Sequence, residues 1–283
     1  MPATLEHSDR DGLVRAPSLW SQSGGSGDPT LLLLHGLGAT ASVWEPVLEH
    51  VRREWPGRWV VCDLPGHGRS SWVPVASFGR YAADVADLVG DSRDVVAVGH
   101  SLGGVVALAL GTGWFGVPVS RVLVIGPKVN WTEAELLTAR RRAQKPVEWF
   151  PTREEALDRL VKVAGLPSGT TADSPLVARG IEQGAAGFRL SMDPAASPTA
   201  RAMESPARII TAMVAASRAS IRMVCGSEDP GVSIAELRAF DPAAVEIPGA
   251  GHSPHIERPA EVFRLIRALA DEPGAAAGEP HED

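Results

Sequence analysis

Short runs of continuously apolar, mostly β-branched residues recur along the chain. Such runs are typical of strands that are buried on both faces, as in a parallel sheet covered by helices. Segments of helical length lie between most of them, for example residues 78–89 and 105–110. This alternation predicts an α/β fold with a doubly wound, mostly parallel sheet. The predicted strands are residues 31–34, 59–62, 95–98, 122–125, 221–225 and 245–247.

The chain before the first of these strands favours a different element. Residues 13–20 are followed by the turn-rich sequence SQSGGSGDPT, a combination typical of an antiparallel hairpin. We therefore expect a hairpin that leads into the first parallel strand.

The alternation of strands and helices stops between about residues 126 and 220. This stretch contains no run typical of a strand, but several hydroxyl residues stand at helix N-cap spacing, and one helix should end near Gly165. An all-helical insertion in an α/β sheet is most simply a cap over the active edge of that sheet. The predicted N-caps are Thr132 (with Glu135), Thr152 (with Glu155) and Ser174 (before Pro175).

These patterns divide the chain into three parts. Residues 1–126 and 219–270 form the predicted α/β core, and residues 127–218 form the predicted helical cap. The last segment, residues 271–283, is acidic and rich in Gly, Pro and Ala, so we expect it to be disordered.

Charge and composition exclude some classes of function. The chain has 283 residues with 27 Lys and Arg against 34 Asp and Glu, a formal charge of −7. It lacks the basic footprint of a nucleic-acid-binding protein. We find no run of 18 apolar residues for a membrane span and no apolar segment near the N-terminus for a signal peptide. Cys62 and Cys225 lie in predicted interior strands, which indicates two reduced thiols in a cytoplasmic protein.

The most informative segment is the pentapeptide Gly99-His100-Ser101-Leu102-Gly103. It has the pattern G-x-S-x-G between a predicted strand and a predicted helix, the context in which this pattern forms a nucleophile elbow. Glycines are needed because side chains two positions before and after the serine would collide. We predict that Ser101 is a nucleophile at the start of a helix, where backbone N–H groups favour negative charge.

A serine hydroxyl needs a base to remove its proton and a third group to orient that base. His252 follows the last predicted strand and is the candidate base, and Asp229 follows the preceding strand and is the candidate acid. Glu228 is the alternative acid, although Asp229 precedes a proline at the turn. His255 lies near the start of the final helix, where a pocket-wall or structural role is expected.

An oxyanion in the reaction requires two N–H donors. The backbone N–H of Leu102 follows the nucleophile directly, and that of Leu37 lies in the glycine-containing loop after the first parallel strand. The histidines of these loops lack the spacing of known metal motifs, so we expect no metal. The chain also has no dinucleotide or phosphate-loop fingerprint, so we expect no organic cofactor.

Taken together, these segments resemble the α/β-hydrolase superfamily over roughly residues 13–270. The resemblance implies an α/β-hydrolase fold, a Ser–Asp–His triad and a capped pocket. It is carried by five motifs in the expected order: HGLG, DLPGHGRS (residues 63–70), GHSLGG, GSEDP and GAGHSPHIERP.

Substrate selection in such proteins depends largely on the cap. We name Trp131 and Trp149 of the cap, together with His100 and His255, as candidate substrate-binding residues; packing within a small cap core is the alternative for the tryptophans. Residues 140–142 (all Arg) and Lys145 allow a phosphate-bearing carrier such as coenzyme A or an acyl carrier protein to dock. The alternative for these cations is a solvated helix end that complements the helix dipole.

The resulting hypothesis is a cofactor-independent serine hydrolase that acts through an acyl-enzyme. Its expected substrate is a small-molecule carboxylic ester or thioester with a small to medium apolar acyl group, with a carrier-bound substrate as a further option. The first alternative is a lyase, an acyltransferase, a perhydrolase or a carbon–carbon bond hydrolase on the same fold. The second is a ligand receptor that keeps the triad. The oligomeric state stays open.

Overall fold

The computed structural model describes residues 18–272, and it contains nine strands and ten α-helices in that range. The strands are β1 (Ser21–Gly24), β2 (Thr30–Leu34), β3 (Trp59–Cys62), β4 (Val95–His100), β5 (Val119–Ile125), β6 (Ile181–Gly184), β7 (Gly187–Leu190), β8 (Ser220–Gly226) and β9 (Val245–Ile247). The helices are α1 (Glu45–Glu54), α2 (Phe78–Ala86), α3 (Leu102–Gly111), α4 (Glu133–Ala143), α5 (Arg153–Ala164), α6 (Pro198–Arg201), α7 (Pro206–Ala215), α8 (Ile234–Arg238), α9 (Pro254–Glu257) and α10 (Pro259–Asp271).

Seven strands form one sheet in the order β1-β3-β2-β4-β5-β8-β9. Every neighbouring pair is parallel except β1 and β3, which are antiparallel. The predicted α/β fold with a mostly parallel sheet is confirmed, and all six predicted strands are present. The carboxyl ends of the parallel strands meet at one edge, where α/β sheets gather their functional residues.

The central strands are buried because their side chains enter two different cores. Successive side chains of a strand point to opposite faces of the sheet. Leu32 and Leu34 of β2 accordingly pack in the cluster that contains α2 and α3 residues. Leu31 and Leu33 pack in the cluster that contains α1 and α10 residues. All four are fully buried, and each contributes about 1.5–3 kcal/mol by leaving water.

The N-terminal hairpin prediction is wrong for the residues that the structure describes. β1 pairs with β3 in register Gln22↔Val61, and β3 also pairs with β2 in register Leu33↔Val61. The apolar strand β3 therefore lies between β1 and β2. It occupies the position beside β2 that a hairpin partner would have taken. The first part of the predicted hairpin, residues 13–17, lies outside the described residues.

The segment between β5 and β8 contains helices at the expected places and one unexpected hairpin. Thr132 caps α4 with a complete capping box, Thr152 caps α5, and Gly165 ends α5 in the left-handed conformation (φ 62°). Ser174 caps a short 3₁₀ helix, Pro175–Val177. The expectation of a wholly helical segment is wrong at β6 and β7, which form a two-stranded antiparallel hairpin. Each of these two strands has only four residues, some of them polar, so neither contains the apolar run by which the other strands were predicted.

The C-terminal helix and the two cysteines lie in the α/β core. Helix α10 continues to Asp271, and residues 273–283 of the predicted disordered tail lie outside the described residues. Cys62 and Cys225 are buried in β3 and β8 and form no disulfide, as predicted. No helix within residues 18–272 is long and apolar enough to cross a membrane.

Candidate active site

Ser101 occupies a strained turn between β4 and α3. Its φ is 49°, and no other residue except glycine has a positive φ within residues 18–272. A Cβ at Gly99 would stand 2.1 Å from the carbonyl oxygen of Gly103, and one at Gly103 would stand 2.4 Å from that of Leu34. Both contacts are with backbone, which cannot move aside. The two glycines are therefore required by the turn that presents the serine.

The turn at Ser101 is anchored to strand β5 on one side and borders a cavity on the other. The Ser101 N–H donates to the Ile125 carbonyl at the end of β5, at 2.7 Å. The Ser101 side chain contributes to the lining of a small cavity of about 90 Å³, together with Leu102, Val105 and Ile210. A serine held at the first turn of a helix and facing a cavity is well placed to attack a bound electrophile.

Asp229 and His252 are joined by a hydrogen bond, as predicted. His252 Nδ1 lies 2.8 Å from Asp229 Oδ2, and the other oxygen of Asp229 accepts the Gly231 N–H at 2.8 Å. The Asp229 side chain is 1% exposed and that of His252 is 28% exposed. A carboxylate that accepts at Nδ1 keeps the proton on that nitrogen and leaves Nε2 as the base. Glu228 is exposed and, within residues 18–272, forms no hydrogen bond with His252.

The histidine loop is tied to the nucleophile turn through His100. The Nε2–H of His100 donates to the His252 carbonyl oxygen at 2.9 Å, because a carbonyl can only accept. This contact joins the residue before Ser101 to the backbone of the candidate base. His252 Nε2 has no hydrogen-bond partner in the described part of the chain.

The loop after β2 is held so that the Leu37 N–H is directed away from His35. The Nδ1–H of His35 donates to the Gly36 carbonyl at 2.8 Å, and its Nε2 accepts the Leu64 N–H at 2.8 Å. The C=O and N–H of one peptide plane point in opposite directions. Leu102 is the first residue of α3, and its N–H has no acceptor within that helix. Leu37 and Leu102 both line the small cavity that Ser101 also lines.

Behind the site lies a group of buried, neutral histidines. Burial lowers the pKa of His67 and of His255 to about 3, and holds the pKa of His100 well below its usual value. Burial also lowers the pKa of His35. The His255 ring packs on the Trp44 and His100 rings, at 4.6 and 4.5 Å between centroids.

His100 and His255 are both about 1% exposed, so the structure places both expected substrate-binding histidines in the core. Both ring nitrogens of His255 are buried and have no hydrogen-bond partner among residues 18–272. No group of three or more His, Cys, Asp or Glu within residues 18–272 is arranged to hold a metal ion.

Two adjoining cavities lie between the sheet edge and the segment that precedes β8. The larger has a volume of about 720 Å³ and is bordered by α4, α5 and β7. It shares Leu37, Lys128, Trp131 and Ser197 with the small cavity at Ser101. Such a volume is typical of small-molecule sites. The large cavity therefore adjoins the one that Ser101 lines.

The two candidate tryptophans differ in position. Trp131 lines both cavities, and its Nε1–H donates to the Lys128 carbonyl at 2.9 Å. Trp149 lines neither cavity. It is 40% exposed and stacks with Arg189, 5.7 Å from the ring centroid.

Two further residues at His252 escaped the sequence reasoning. A Cβ on Gly165 would stand 2.7 Å from His252 Cδ2, so the end of α5 packs directly against the imidazole. The buried Ser253 hydroxyl donates to the Gly165 carbonyl at 2.7 Å. The sequence marks Gly165 as the end of a helix, but nothing in it indicates that this end meets a loop 87 residues later.

Comparison with known proteins gives one extensive match and several partial ones. The sequence model of the alpha/beta hydrolase family matches residues 31–265. The pimeloyl-[acyl-carrier protein] methyl ester esterase of Proteus mirabilis is 36% identical over 89 residues, which cover 31% of this chain and 33% of that protein. The protein of the same name from Vibrio vulnificus is 41% identical over 86 residues, covering 30% and 32%. The matches therefore span about a third of these relatives.

Solved structures resemble this chain over most of its length. A thioesterase domain from the curacin biosynthetic pathway has a TM-score of 0.71 and 20% identity, and covers 89% of this chain and 95% of its own. The structure of E-2-(acetamidomethylene)succinate hydrolase has a TM-score of 0.71 and 23% identity, covering 90% and 96%. At these identities the likeness concerns the fold.

Proposed function

Because this chain belongs to the alpha/beta hydrolase family, we propose that it is a serine hydrolase that cleaves carboxylic esters or thioesters. The observation that carries the proposal is the 2.8 Å contact between His252 Nδ1 and Asp229 Oδ2. It occurs beside a serine at φ 49° that faces a cavity. A buried carboxylate, an orienting hydrogen bond and a serine that lines a cavity are the parts that acyl transfer needs.

In the proposed reaction, Ser101 Oγ attacks the carbonyl carbon of the ester while His252 Nε2 removes the hydroxyl proton. Asp229 holds the Nδ1–H tautomer and stabilises the imidazolium that forms. The same proton then passes to the departing alcohol or thiol, which leaves an acyl group on Ser101. A water molecule then attacks the carbonyl carbon of the acyl group on Ser101 while His252 removes its proton. The acid leaves, and Ser101 regains its proton from His252.

Two backbone N–H groups are proposed to stabilise the oxyanion of each tetrahedral intermediate. Leu102 N–H lies at the start of α3, where the helix dipole also favours negative charge. Leu37 N–H is aimed by the His35–Gly36 hydrogen bond. Preorganised donors of this kind are typically worth about 10²–10³ in kcat each.

The proposed substrates carry a small group on one side of the ester and a larger group on the other. The cavity at Ser101 has a volume of about 90 Å³, whereas the adjoining cavity, at about 720 Å³, accepts a much longer chain. The Proteus mirabilis and Vibrio vulnificus relatives are named as esterases of pimeloyl-[acyl-carrier protein] methyl ester. A carrier-bound acyl ester is accordingly one candidate substrate for this chain.

The test is covalent trapping of Ser101 followed by kinetics. A fluorophosphonate probe is expected to label the peptide that contains Ser101, and an activated ester is expected to give a burst of one equivalent per chain. Ser101→Ala should abolish both and lower kcat by at least ~10³-fold. Ser197→Ala is the matched control, because Ser197 lines the same cavities away from the turn.

Labelling at another residue would contradict the proposal. So would a folded Ser101→Ala protein whose activity stays within about tenfold of the parent. Product analysis with an added alcohol or amine separates hydrolysis from acyl transfer.

A further inference from the structure

The large cavity is positively charged in a molecule that is negatively charged overall. The formal charge of the chain is −7, but five of the cavity-lining residues are cations and two are carboxylates. The cations are Lys128, Arg142, Lys145, Arg159 and Lys162, and the carboxylates are Glu135 and Glu148.

Both carboxylates are already engaged by cavity cations. Lys128 Nζ lies 2.5 Å from Glu135 Oε1, and Arg159 Nε lies 3.5 Å from Glu148 Oε2. The remaining cations, Arg142, Lys145 and Lys162, have no carboxylate partner within residues 18–272. The cavity therefore has an excess of three positive charges, and a concave wall of one sign concentrates ligands of the opposite sign.

Two of these three cations, Arg142 and Lys145, lie at or beyond the far end of α4, whereas Lys162 lies three residues before Gly165, which packs against His252. Helix α4 turns one face to the cavity through Ala134, Thr138 and Arg142, which are spaced by four residues. Glu135 and Arg142 are separated by about 10 Å along the helix axis, at 1.5 Å per residue. The near end of this face follows Trp131, which also lines the cavity of Ser101. The small side chains between the two ends leave room for an extended chain.

Helix dipoles do not account for this arrangement. Arg142 and Lys162 lie in the last turns of α4 and α5, where cations are favourable. Arg140 and Arg141 already meet that requirement for α4, and they do not line the cavity. Lys145 lies beyond the helix altogether. The dipole explains positive charge at the helix ends but not its convergence on one cavity.

We propose that the large cavity binds an anionic end of the substrate, so that the ester lies at Ser101 and a carboxylate or phosphate lies among Arg142, Lys145 and Lys162. This inference rests on the proposed function and narrows its substrate class. The preferred ester has an acyl chain that ends in an anion, whereas the sequence alone favoured an apolar acyl group.

Binding is measured by calorimetry on the Ser101→Ala protein, which holds substrate without turnover. The ligands are monomethyl esters of dicarboxylic acids of increasing chain length, each paired with the methyl ester of the corresponding ω-amide, which is neutral and of equal size. The acid is expected to bind at least about tenfold more tightly than the amide at low salt, with a maximum at one chain length. The difference should shrink as salt is added.

Cavity cations are then compared with their neighbours on the same helix. In the same background, Arg142→Gln and Lys162→Gln should each weaken binding of the acid by about threefold to tenfold and leave binding of the amide unchanged. Arg140→Gln and Arg141→Gln are the matched controls, because they remove the same charge outside the cavity. The same monomethyl esters are also prepared with the free carboxyl group joined as a thioester to pantetheine or to phosphopantetheine. These two ligands differ only in a phosphate, so tighter binding of the second identifies phosphate as the preferred anion.

Equal binding of every charged and neutral pair overturns the inference, and so does an equal effect of Arg140→Gln and Arg142→Gln. Wild-type kinetics separate this result from failure of the proposed function. Ser101-dependent hydrolysis of neutral methyl esters without anion preference refutes the inference alone. Selective anion binding without hydrolysis of any ester refutes the proposed function and leaves the anion site standing.

Discussion

At the scale of single residues, Asp229 and Glu228 are adjacent in sequence but have different surroundings. Asp229 is buried against the His252 ring, whereas Glu228 is exposed. We expect Asp229→Asn to lower kcat/KM by about 10²–10⁴-fold, because an amide cannot hold the Nδ1–H tautomer. Glu228→Gln should change it by less than about twofold. Steady-state kinetics on one activated ester measure both, and a reversed order would identify Glu228 as the acid.

Gly165 offers a second comparison between single residues. It has φ 62°, and a Cβ there would press on the His252 ring, whereas Gly169 has φ 92° and nothing within 4 Å of its Cβ position. Alanine at either position pays about 1–2 kcal/mol of backbone strain. Only Gly165→Ala should also displace the imidazole and lower kcat by at least about tenfold. Melting temperature and kcat, measured on both variants, separate strain from displacement; equal kcat values would refute the contact.

At the scale of secondary-structure elements, the segment that carries α4 and the β6–β7 hairpin places its two tryptophans differently. Trp131 lines both cavities, and Trp149 packs outside them against Gly184 and Arg189. We expect Trp131→Ala to change the kcat/KM ratio of long to short acyl esters by about tenfold or more, since each buried methylene contributes about 1 kcal/mol. Trp149→Ala should leave the ratio unchanged. An equal loss for all substrates in both variants would show that the tryptophans only stabilise this segment.

The elements that the sequence predicted share a local cause. The buried strands carry continuous apolar runs, and Thr132 and Thr152 cap helices through contacts with residues three positions away. Local chemistry decides such features, so a single sequence contains them. The β6–β7 hairpin has four-residue polar strands, and the antiparallel pairing of β1 depends on β3, nearly 40 residues later. Contacts between residues far apart in the sequence determine the β6–β7 hairpin and the pairing of β1. Neither could therefore be predicted from local sequence patterns.

At the scale of the whole molecule, the buried histidines link stability to pH. Burial lowers the pKa of His35, His67, His100 and His255 below 6.5, so the unfolded chain binds more protons than the folded protein as pH falls. Stability from these groups is present above pH 6.5 and is lost towards acid. A histidine contributes a slope of at most about 1.4 kcal/mol per pH unit, and it does so only between its lowered pKa in the folded protein and its ordinary value in the unfolded chain.

We expect the protein to lose stability as the pH falls below 6.5 and to unfold cooperatively in acid, which circular dichroism measures as an acid midpoint. His255→Phe should shift the acid midpoint downward, because it removes one of the four groups and two unpaired buried nitrogens. His50→Phe is the control, since that ring stacks on Phe263 without being buried. An acid midpoint that both variants leave unchanged would contradict the role of the cluster.

The candidate site was predictable in its members but not in its surroundings. The turn at Ser101 and the loops of Asp229 and His252 follow strands, and parallel strands bring their carboxyl ends to one edge. The expected contact of Asp229 with His252 is present in the structure. The core positions of His100 and His255 depend on packing against Trp44 and on the His252 backbone. No local pattern records such contacts.

The adjacency of β5 and β8 in the sheet has an evolutionary consequence. The chain leaves the sheet at Gly126, whose N–H donates to Val224 of β8 at 2.8 Å, and it returns through α7, whose Ile210 is buried in the same core cluster as α3 residues. Everything between Gly126 and α7 can therefore be replaced in one recombination event without changing a strand partner. A lineage with this architecture can exchange the segment that lines both cavities as a single contiguous stretch of gene and keep the strand order of the sheet, provided that the new segment again presents a helix end to His252 and Ser253.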